Sequence, residues 1–278
     1  FCKKHDSLEN IISDLKKRID WIHEIPIDDI VNLVDKFSKK IQEKNTKFGT
    51  SIKHLADFSR KENVIRDLNL SLRGNYHVLD EFVEFEYGGN NLYHAQPRGL
   101  TVHWIAGNVS ELGLFSILQS LITKNVSLIK ISSNSEVLIN LLKVFEEVQT
   151  EKLSGLDILK TISLIYIEKD DITKQQLISE EADLRIIWGG LEAVSSIVSL
   201  PKKSFCEDIV FGPKYSYAII DEKATSESDL PIKIAFDISI FDQNACSSPH
   251  TIFIETTDLT IIDTFAKNLA FAMDKVSK

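Results

Sequence analysis

The sequence lacks the features that mark several large classes of protein. Its three cysteines, Cys2, Cys206 and Cys246, are far apart and form no CxxC pair, which fits a reducing cytoplasm and offers no zinc site. No apolar run approaches the length of a membrane span, and no signal-peptide pattern is present. A net charge of -9, without a run of Lys or Arg, argues against nucleic-acid binding.

What the sequence does contain is typical of a soluble globular protein. Its 278 residues can bury a large core and suffice for one or two domains. Hydrophobic residues make up 43% of the chain and charged residues 26%, both ordinary values for this class. The chain opens on Phe1 and stops just after a helix-like segment, so we expect it to be a fragment of a longer protein.

The first seventy residues are predicted to be helical. Apolar residues recur at helical spacing over 8–25, resume after Pro26 over 30–41, and continue over about 51–72. The Lys and Glu residues between them most simply form solvated faces. We therefore interpret these helices as scaffold.

From Phe82 the pattern changes to strands that alternate with helices. A hairpin over 82–94 precedes a strand that runs from Pro97 into Gly107-Asn108, a helix over 112–122, a strand over 126–131 and a helix over 136–148. The alternation continues with a strand over 161–168, a helix over 173–182, a strand over 184–188 and a helix over 191–200. This order predicts an open parallel α/β sheet of Rossmann type over 97–200.

Three polar or glycine groups fall at the carboxyl ends of these strands, where open α/β sheets bind their ligands. Asn108 ends the first strand, Lys130 lies near the end of the second, and Gly189-Gly190 forms a tight turn followed by Glu192. Each also has a plain structural interpretation, since an Asn before a helix is commonly a cap and a Gly-Gly pair commonly only a turn. No GxGxxG fingerprint is present, so the usual dinucleotide turn is absent.

The segment Phe241-Asp-Gln-Asn-Ala-Cys246-Ser-Ser-Pro249 has the most unusual chemistry in the chain. Cys246 lies among small polar residues, whereas a structural cysteine is usually buried among aliphatic side chains. An apolar run over 231–241 precedes it and a strand-like stretch over 251–255 follows. A thiol between a helix and a strand is well placed to be a nucleophile, and an inert loop thiol is the alternative.

The order of these segments resembles that of the aldehyde dehydrogenase superfamily, and more closely that of the acyl-CoA reductases of the bioluminescence fatty-acid-reductase type. The matching segments are His103-Trp-Ile-Ala-Gly-Asn-Val109, Trp188-Gly-Gly-Leu-Glu-Ala-Val194, Phe211-Gly-Pro-Lys-Tyr-Ser216 and the segment around Cys246. The resemblance implies an aldehyde-dehydrogenase-like α/β fold. N-terminal helices plus a Rossmann-like cofactor domain would occupy 1–212, and the first part of a cysteine-bearing catalytic domain, incomplete here, would occupy 213–278.

The resemblance also implies roles for individual residues. Cys246 matches the family nucleophile, whose thiolate attacks an acyl thioester, expels CoA and holds the acyl group as an enzyme thioester. Asn108 matches the asparagine that stabilises the tetrahedral oxyanion together with the cysteine N–H, a donor typically worth about 3–4 kcal/mol. Lys130 matches the lysine that contacts the adenosine ribose. Gly189 and Gly190 match the turn near the cofactor pyrophosphate, and we assign Glu192 to the same cofactor site.

One difference from typical aldehyde dehydrogenases concerns hydrolysis. Aligning Gly212-Pro213-Lys214 on the family motif places Val210 where those enzymes have a glutamate that activates water. Hydrolysis of an acyl-enzyme should then be slow, which suits an enzyme that reduces thioesters. Glu207 and Asp208 lie close by, so a shift of two or three residues in the alignment would weaken this argument.

A second difference concerns the cofactor. Ser133 falls where relatives that prefer NAD often have an acidic residue, which would repel a 2′-phosphate. A serine near Lys130 accepts this phosphate, so the sequence favours NADPH over NADH. The alternative is that Ser132, Ser133 and Ser135 simply cap the next helix.

Two other residues of reactive type are interpreted as structural. His103 alternates with Trp104 in the middle of a strand and is expected to be a core histidine with satisfied hydrogen bonds. Cys206 is expected to be a structural thiol.

The resemblance therefore predicts a cytoplasmic enzyme that reduces a fatty acyl-CoA or another acyl thioester to the aldehyde with NADPH, through an acyl-Cys246 intermediate. One alternative is an acyl carrier or acyltransferase subunit that passes the chain to a partner enzyme without reduction. Another is a noncatalytic scaffold of the same fold. The sequence does not specify the acyl chain length or the pathway, and it leaves a homo-oligomer open.

Overall fold

The computed structural model describes residues 7–44, 51–86, 89–105, 110–133, 135–239, 243 and 247–276. The chain divides into two compact units, Phe1–Phe211 and Gly212–Lys278. Each unit contains both helices and parallel strands, so the predicted α/β class is confirmed. Among the residues described, no helix has both the length and the apolar character needed to cross a membrane.

The described part of the first seventy residues is helical, as predicted. Its helices are α1 (Leu8–Lys16), α2 (Ile19–Glu24), α3 (Ile27–Glu43), α4 (Ser51–Phe58) and α5 (Lys61–Ser71). The helix expected over 8–25 is divided in two, because the N–H of Arg18 bonds to the Leu15 carbonyl in a tighter turn. The helical region expected over 51–72 is likewise divided, between α4 and α5.

Helix α3 joins this helical region to the core of the first unit. Asp80 fixes its start, since each carboxylate oxygen lies 3.0 Å from the backbone N–H of Ile27. Phe37 stacks on Phe145, with ring centroids 3.8 Å apart. The apolar face predicted from the sequence is buried in the same core as the central sheet, at Ile30, Leu33, Val34, Phe37 and Ile41.

A five-stranded parallel sheet forms the centre of the first unit. Its strands are β3 (Leu100–Trp104), β4 (Val126–Ile131), β5 (Ile162–Tyr166), β6 (Leu184–Trp188) and β7 (Glu207–Phe211). Their spatial order is β5-β4-β3-β6-β7, which is the order of the first five strands of a Rossmann sheet. A short antiparallel pair precedes the sheet, β1 (Val83–Glu84) with β2 (Leu92–Tyr93), where a hairpin was predicted.

Helices connect the parallel strands. They are α6 (Ser110–Ile122), α7 (Glu136–Leu142) with a 3-10 turn at Lys143–Glu147, α8 (Gly155–Leu159), α9 (Ile172–Glu181) and α10 (Leu191–Val198). Helix α8 was not predicted, because five residues are too few for a periodic pattern to emerge. A Cβ at Gly155 would lie 2.0 Å from the carbonyl oxygen of Phe145, so only glycine fits at the start of this helix.

The central strand β3 begins at Leu100, three residues later than the sequence indicates. The side-chain oxygen of Asn125 accepts the backbone N–H groups of Arg98 and Gly99, at 2.8 and 3.0 Å. Gly99 has a φ of 114°, a conformation that side chains other than glycine rarely adopt. Asp183 then accepts the N–H of Leu100 at 2.8 Å. These bonds fix the amino end of the strand.

The second unit has a small core of its own. Strands β8 (Ser216–Asp221) and β9 (Pro249–Glu255) pair in parallel, and the helices are α11 (Leu230–Ser239) and α12 (Leu259–Val276). The buried side chains of this core are Ile220, Ile234, Ile238 and Phe265. The strand predicted over 251–255 and the helix predicted to follow it are both present.

Arg185, at the amino end of β6, is fully buried and joins three elements. Its Nε and one terminal nitrogen bond to the carboxylate of Asp208 on β7, at 2.6 and 2.7 Å. It also donates to the carbonyl oxygens of Ile197 and Leu200 at the end of α10, at 3.1 and 3.2 Å. Burial alone would raise the pKa of Asp208, but the hydrogen bonds from Arg185 and Lys202 outweigh it and hold that pKa below its usual value. Arg185 therefore anchors α10.

Replacing Arg185 with methionine is expected to lower the free energy of unfolding of the first unit by about 3 kcal/mol, because Asp208 would keep a partly buried charge that Lys202 alone must balance. Arg98 provides a matched control. It pairs at 2.8 Å with Glu207, which lies next to Asp208 on β7, but the side chains of Arg98 and Glu207 are both exposed. Arg98→Met should therefore cost less than about 1 kcal/mol.

Urea unfolding followed by tryptophan fluorescence measures this difference. All three tryptophans, Trp21, Trp104 and Trp188, lie in the first unit, so the signal reports on that unit. Equal losses for the two variants would show that Arg185 contributes no more than a surface ion pair.

Candidate functional site

The candidate site lies at the carboxyl edge of the sheet, where β3 and β6 end. The strand order reverses at this point, and open α/β sheets bind ligands in the crevice that results. Strand β3 ends at Trp104, and β6 ends at Trp188 with Gly189 next. Asn108 and Cys246 lie outside the described residues, so their catalytic roles stay predictions.

Lys130 lies near the end of β4, beside Trp104 of β3 in the register of the sheet. It is half-buried, and its burial lowers the pKa of the ammonium. Within the described ranges, this ammonium forms no ion pair and no hydrogen bond. A desolvated cation of this kind gains from any anionic or hydroxyl-rich ligand that reaches the crevice.

Ser133 follows β4 in an exposed turn. The alternative that the nearby serines cap α7 is only weakly supported. Ser135 is the residue at the start of α7, but its side chain makes no capping bond and instead donates to the Ser132 carbonyl at 2.9 Å. The Ser133 hydroxyl makes no hydrogen bond to any described residue. It therefore lies in the turn after β4 and is accessible to a ligand.

The two glycines after β6 differ in their surroundings. A Cβ on Gly189 would lie 3.1 Å from the Cβ of Ala193, and its N–H donates to the Phe211 carbonyl at 3.3 Å. A Cβ on Gly190 would meet no atom of the described residues within 4 Å, and Gly190 has a φ of -71°, which any residue adopts. Neither packing against the described residues nor backbone conformation requires glycine at 190. Its predicted place near a cofactor pyrophosphate stays a prediction.

Glu192 is exposed in the first turn of α10. A carboxylate there stabilises the helix through the positive end of its dipole. This residue has a structural explanation without a ligand, and its assignment to a cofactor site stays a prediction.

The structure brings Lys130 and the Gly189-Gly190 turn to the same edge of the sheet. They end strands β4 and β6, which flank β3 on its two sides. Two strand spacings separate them, roughly 10 Å. This distance suits an extended ligand that lies across the end of β3.

A chain of buried polar side chains leads from this edge into the core. The Trp188 Nε1–H donates to the Ser116 hydroxyl at 3.3 Å, and Ser116 lies 2.8 Å from His103 Nδ1. His103 Nε2 lies 3.2 Å from the Ser127 hydroxyl, which donates to Ser120 at 3.0 Å. His103 is fully buried, and burial lowers its pKa to about 3. The predicted core histidine with satisfied hydrogen bonds is confirmed, and the ring is neutral.

Trp188 also makes an aromatic contact at the carboxyl edge. Its ring stacks on that of Phe211, at the end of the neighbouring strand β7, with centroids 3.9 Å apart and planes 12° from parallel. The indole is therefore held by a hydrogen bond at its nitrogen and by a stack over its face. It forms a rigid surface directly before Gly189.

The carboxylates of β7 lie at the opposite end of the strand. Glu207 pairs with Arg98, and Asp208 pairs with Arg185, both at the amino edge. Val210 lies beside Ile187 near the carboxyl end. Neither carboxylate is placed to activate water at the carboxyl edge.

A surface cleft of about 430 Å³ lies between α1 and α9, away from this site. Helix α9 leads into β6, so the end of α9 belongs to the amino edge of the sheet. An ion pair between Lys16 and Glu181 joins the two helices there, so the charges that line the cleft partly balance one another. The cleft offers no cluster of unpaired groups comparable to that at the carboxyl edge.

Comparison with known proteins identifies the family of this chain. The family model described as acyl-CoA reductase (LuxC) matches residues 22–278. The long-chain acyl-protein thioester reductase of Aliivibrio fischeri is 34% identical over 207 residues, which cover 74% of this chain and 41% of the relative. Long-chain acyl-protein thioester reductase 2 of Photobacterium leiognathi is 33% identical over 201 residues, 72% of this chain and 40% of the relative.

The chain belongs to the LuxC family of acyl-CoA reductases. It spans about two fifths of the length of the curated LuxC relatives that it matches. Among solved structures, 1-pyrroline-5-carboxylate dehydrogenase from Thermus with bound NAD is similar, with a TM-score of 0.69 at 15% identity over 96% of this chain and 52% of that chain. The predicted aldehyde-dehydrogenase-like fold is thus confirmed for this LuxC-family chain.

Sequence reasoning missed three residues that support the site of this LuxC-family chain: Arg185, Ser116 and Trp188. Only Ser116 had a usable signal. It stands four residues before Ser120 in a largely apolar helix, so both serines share one buried face of α6. Two serines on a face that must pack against a sheet indicate polar partners on that sheet.

His103 makes the stability of this LuxC-family chain depend on pH. The unfolded chain binds a proton on His103 below its ordinary pKa of 6.5, whereas the folded protein does so only near pH 3. The contribution of His103 to the free energy of unfolding is therefore complete above pH 6.5. It decreases as the pH falls, by about 1.4 kcal/mol per pH unit. His103→Asn removes the titration but keeps a polar side chain.

Urea unfolding of the original protein and of the Asn variant should therefore be compared at several pH values from 7 to 4. The carboxylates titrate in both proteins, so the difference between the two curves isolates His103. Parallel curves would contradict a buried, neutral histidine.

Proposed function

We propose that this chain contains the cofactor-binding and cysteine-bearing parts of an acyl thioester reductase, which reduces a fatty acyl thioester to the aldehyde with NADPH through an acyl-Cys246 intermediate. The first unit binds the cofactor and the second unit carries the nucleophile. One observation carries the cofactor part. Beside the switch point of a Rossmann sheet, the half-buried Lys130 has no partner among the described residues, and a Cβ on Gly190 would meet no described atom within 4 Å. Both residues lie at the same edge of the sheet.

The substrate class follows from family membership. Two relatives are named as long-chain acyl-protein thioester reductases, and the family model is described as an acyl-CoA reductase. Both names describe an acyl group on sulfur, carried by a protein in one case and by CoA in the other. We therefore propose a long-chain acyl thioester as the substrate.

The reaction consists of two half-reactions. In the first, the Cys246 thiolate attacks the thioester carbonyl, the carbon–sulfur bond to the carrier breaks, and the carrier leaves as a thiol after gaining a proton. The Asn108 side-chain amide and the N–H of Cys246 stabilise the oxyanion of the tetrahedral intermediate. In the second, a bound NADPH would supply the hydride that adds to the acyl carbon, and the carbon–sulfur bond to Cys246 would break. The products would be the aldehyde, the Cys246 thiolate and NADP⁺, with one proton consumed in the sum of both steps.

The carboxyl end of β7 supports the reductive direction. Residues 209–216 include neither Asp nor Glu, and Val210 takes the position at which typical aldehyde dehydrogenases have their glutamate. Without a base there, water attacks the acyl-enzyme slowly. The thioester then persists until it is reduced.

The preference for NADPH rests on Ser133 and Lys130. Lys130 supplies positive charge at the end of β4, and Ser133 is an exposed hydroxyl three residues further along. Together they suit a ribose 2′-phosphate, which an acidic residue at 133 would repel.

Incubation of the protein with a long-chain acyl-CoA is expected to give a mass increase equal to one acyl group. The increase should be absent in Cys246→Ala and should disappear from the original protein when NADPH is added, as the aldehyde forms. Intact mass spectrometry measures both steps, and Cys2→Ala is the control thiol. An adduct that NADPH does not remove would indicate an acyl carrier or acyltransferase subunit. No adduct on Cys246 would indicate a noncatalytic scaffold.

Replacing Ser133 with aspartate is expected to raise the dissociation constant for NADPH at least tenfold, or about 1.4 kcal/mol, with little change for NADH. The carboxylate would repel the 2′-phosphate and bind free ribose hydroxyls. Quenching of tryptophan fluorescence on titration with each cofactor measures both constants, and Ser133→Ala is the uncharged control. Equal losses for the two cofactors would place Ser133 away from the 2′ position.

A further inference from the structure

The buried chain of polar side chains connects the carboxyl edge with four elements of the core. Its members are Trp188 on β6, Ser116 and Ser120 on α6, His103 on β3 and Ser127 on β4. Only Trp188 reaches the candidate site. The other four serve neither the proposed acyl transfer nor the binding of the cofactor directly, and four polar groups in a dry core need a reason.

The bond from Ser127 to Ser120 sets the direction of the other hydrogen bonds in this chain. Ser127 uses its one hydroxyl proton to donate to Ser120, so His103 Nε2 must carry a proton and donate to Ser127. In a neutral ring the other nitrogen, Nδ1, is then an acceptor, and the Ser116 hydroxyl donates to it at 2.8 Å. With its own proton committed, the Ser116 oxygen accepts the Trp188 indole N–H.

The other tautomer of His103 would break this order. It would point the lone pair of Nε2 at the oxygen of Ser127, whose proton is already donated elsewhere. It would also release the Ser116 proton from His103. An unpaired polar group costs most in a buried site, so the structure selects one tautomer.

The selected tautomer acts on the candidate site through the indole. Trp188 is clamped between its bond to Ser116 and its stack on Phe211, and it precedes Gly189 directly. The N–H of Gly189 in turn donates to the Phe211 carbonyl. The orientation of the indole and the path of the glycine turn are therefore coupled.

We propose that His103 is a positioning residue. As the Nε2–H tautomer it holds Ser116 as an acceptor for the Trp188 indole, and so fixes the aromatic wall beside Gly189-Gly190 against which the dinucleotide binds. The identity of that ligand rests on the proposed function, whereas the hydrogen-bond chain does not.

Two polar, uncharged replacements of His103 test this role. In His103→Asn the side-chain oxygen takes the place of Nδ1 and still accepts from Ser116. In His103→Gln the terminal amide takes the place of Nε2 and serves Ser127, but Ser116 loses its partner. If His103 only filled the core, the two variants would have similar indole resonances and similar dissociation constants for NADPH. If His103 positions Trp188, the two variants differ in both measurements.

The first readout is the indole N–H resonance of Trp188 in a protein with ¹⁵N-labelled tryptophan. It is one of three such signals and is assigned by its loss in Trp188→Phe. It should stay in place in His103→Asn and should shift in His103→Gln and Ser116→Ala. The second readout is the dissociation constant for NADPH. It should stay within about twofold in His103→Asn and rise about five- to tenfold in His103→Gln, the loss of roughly one hydrogen bond.

Acylation of Cys246 by acyl-CoA, which needs no cofactor, separates this proposal from the proposed function. It should proceed at the original rate in His103→Asn and His103→Gln. Equal resonances and equal NADPH constants in the Asn and Gln variants would overturn the positioning role. If the original protein bound no NADPH, the proposed function and the ligand assigned to this wall would both fail. If neither His103 variant folds, Ser116→Ala and Trp188→Phe must weaken NADPH binding by the same factor, or the proposal is wrong.

Discussion

The complete burial of strand β3 is the constraint on which the rest of the structure depends. All five of its residues are buried, and it has a parallel strand on each side, so its side chains are shielded from water. A polar side chain there must find its partners within the protein. His103 finds them on α6 and β4, which ties the first crossover helix and the next strand to the centre of the sheet. The hydrogen bonds that the buried His103 ring needs therefore also set the position of α6, the helix that follows β3.

The two edges of the sheet differ in a way that separates stability from function. At the amino edge the polar groups are paired with one another, as Asn125 with the turn at Gly99 and Arg185 with Asp208 show. At the carboxyl edge Lys130 has no partner in the described part of the chain, and no described atom lies within 4 Å of the position of a Cβ on Gly190. Arg185 fixes the carboxyl end of α10 at the amino edge of the sheet. Because a helix is rigid, this contact also fixes the first turn of α10 at the carboxyl edge, next to Gly190. Binding sites are most precise when their residues lie on such rigid elements.

The proposed chemistry divides between the two units of this LuxC-family chain. In the proposed reaction the thiol that is acylated belongs to the second unit, whereas Asn108 and the groups that fit a dinucleotide belong to the first. The half-reactions can therefore be measured separately, and a change in the aromatic wall at Trp188 should affect one without the other.

Local sequence patterns predicted most of the helices and strands, the Rossmann type of the sheet, and the placement of Lys130 and Gly189-Gly190 at strand ends. These follow from local periodicity, because a buried strand and an amphipathic helix each leave a pattern within a few residues. Tertiary structure alone decided the division of the first helix, the role of Arg185 and the chain from His103 to Trp188. Ser116 and Trp188 are 72 residues apart, and Arg185 and Asp208 are 23 apart. The hydrogen-bond partner of a buried polar side chain depends on which residues lie next to it after the sheet has packed. These partners are distant in sequence, so a local pattern does not predict them.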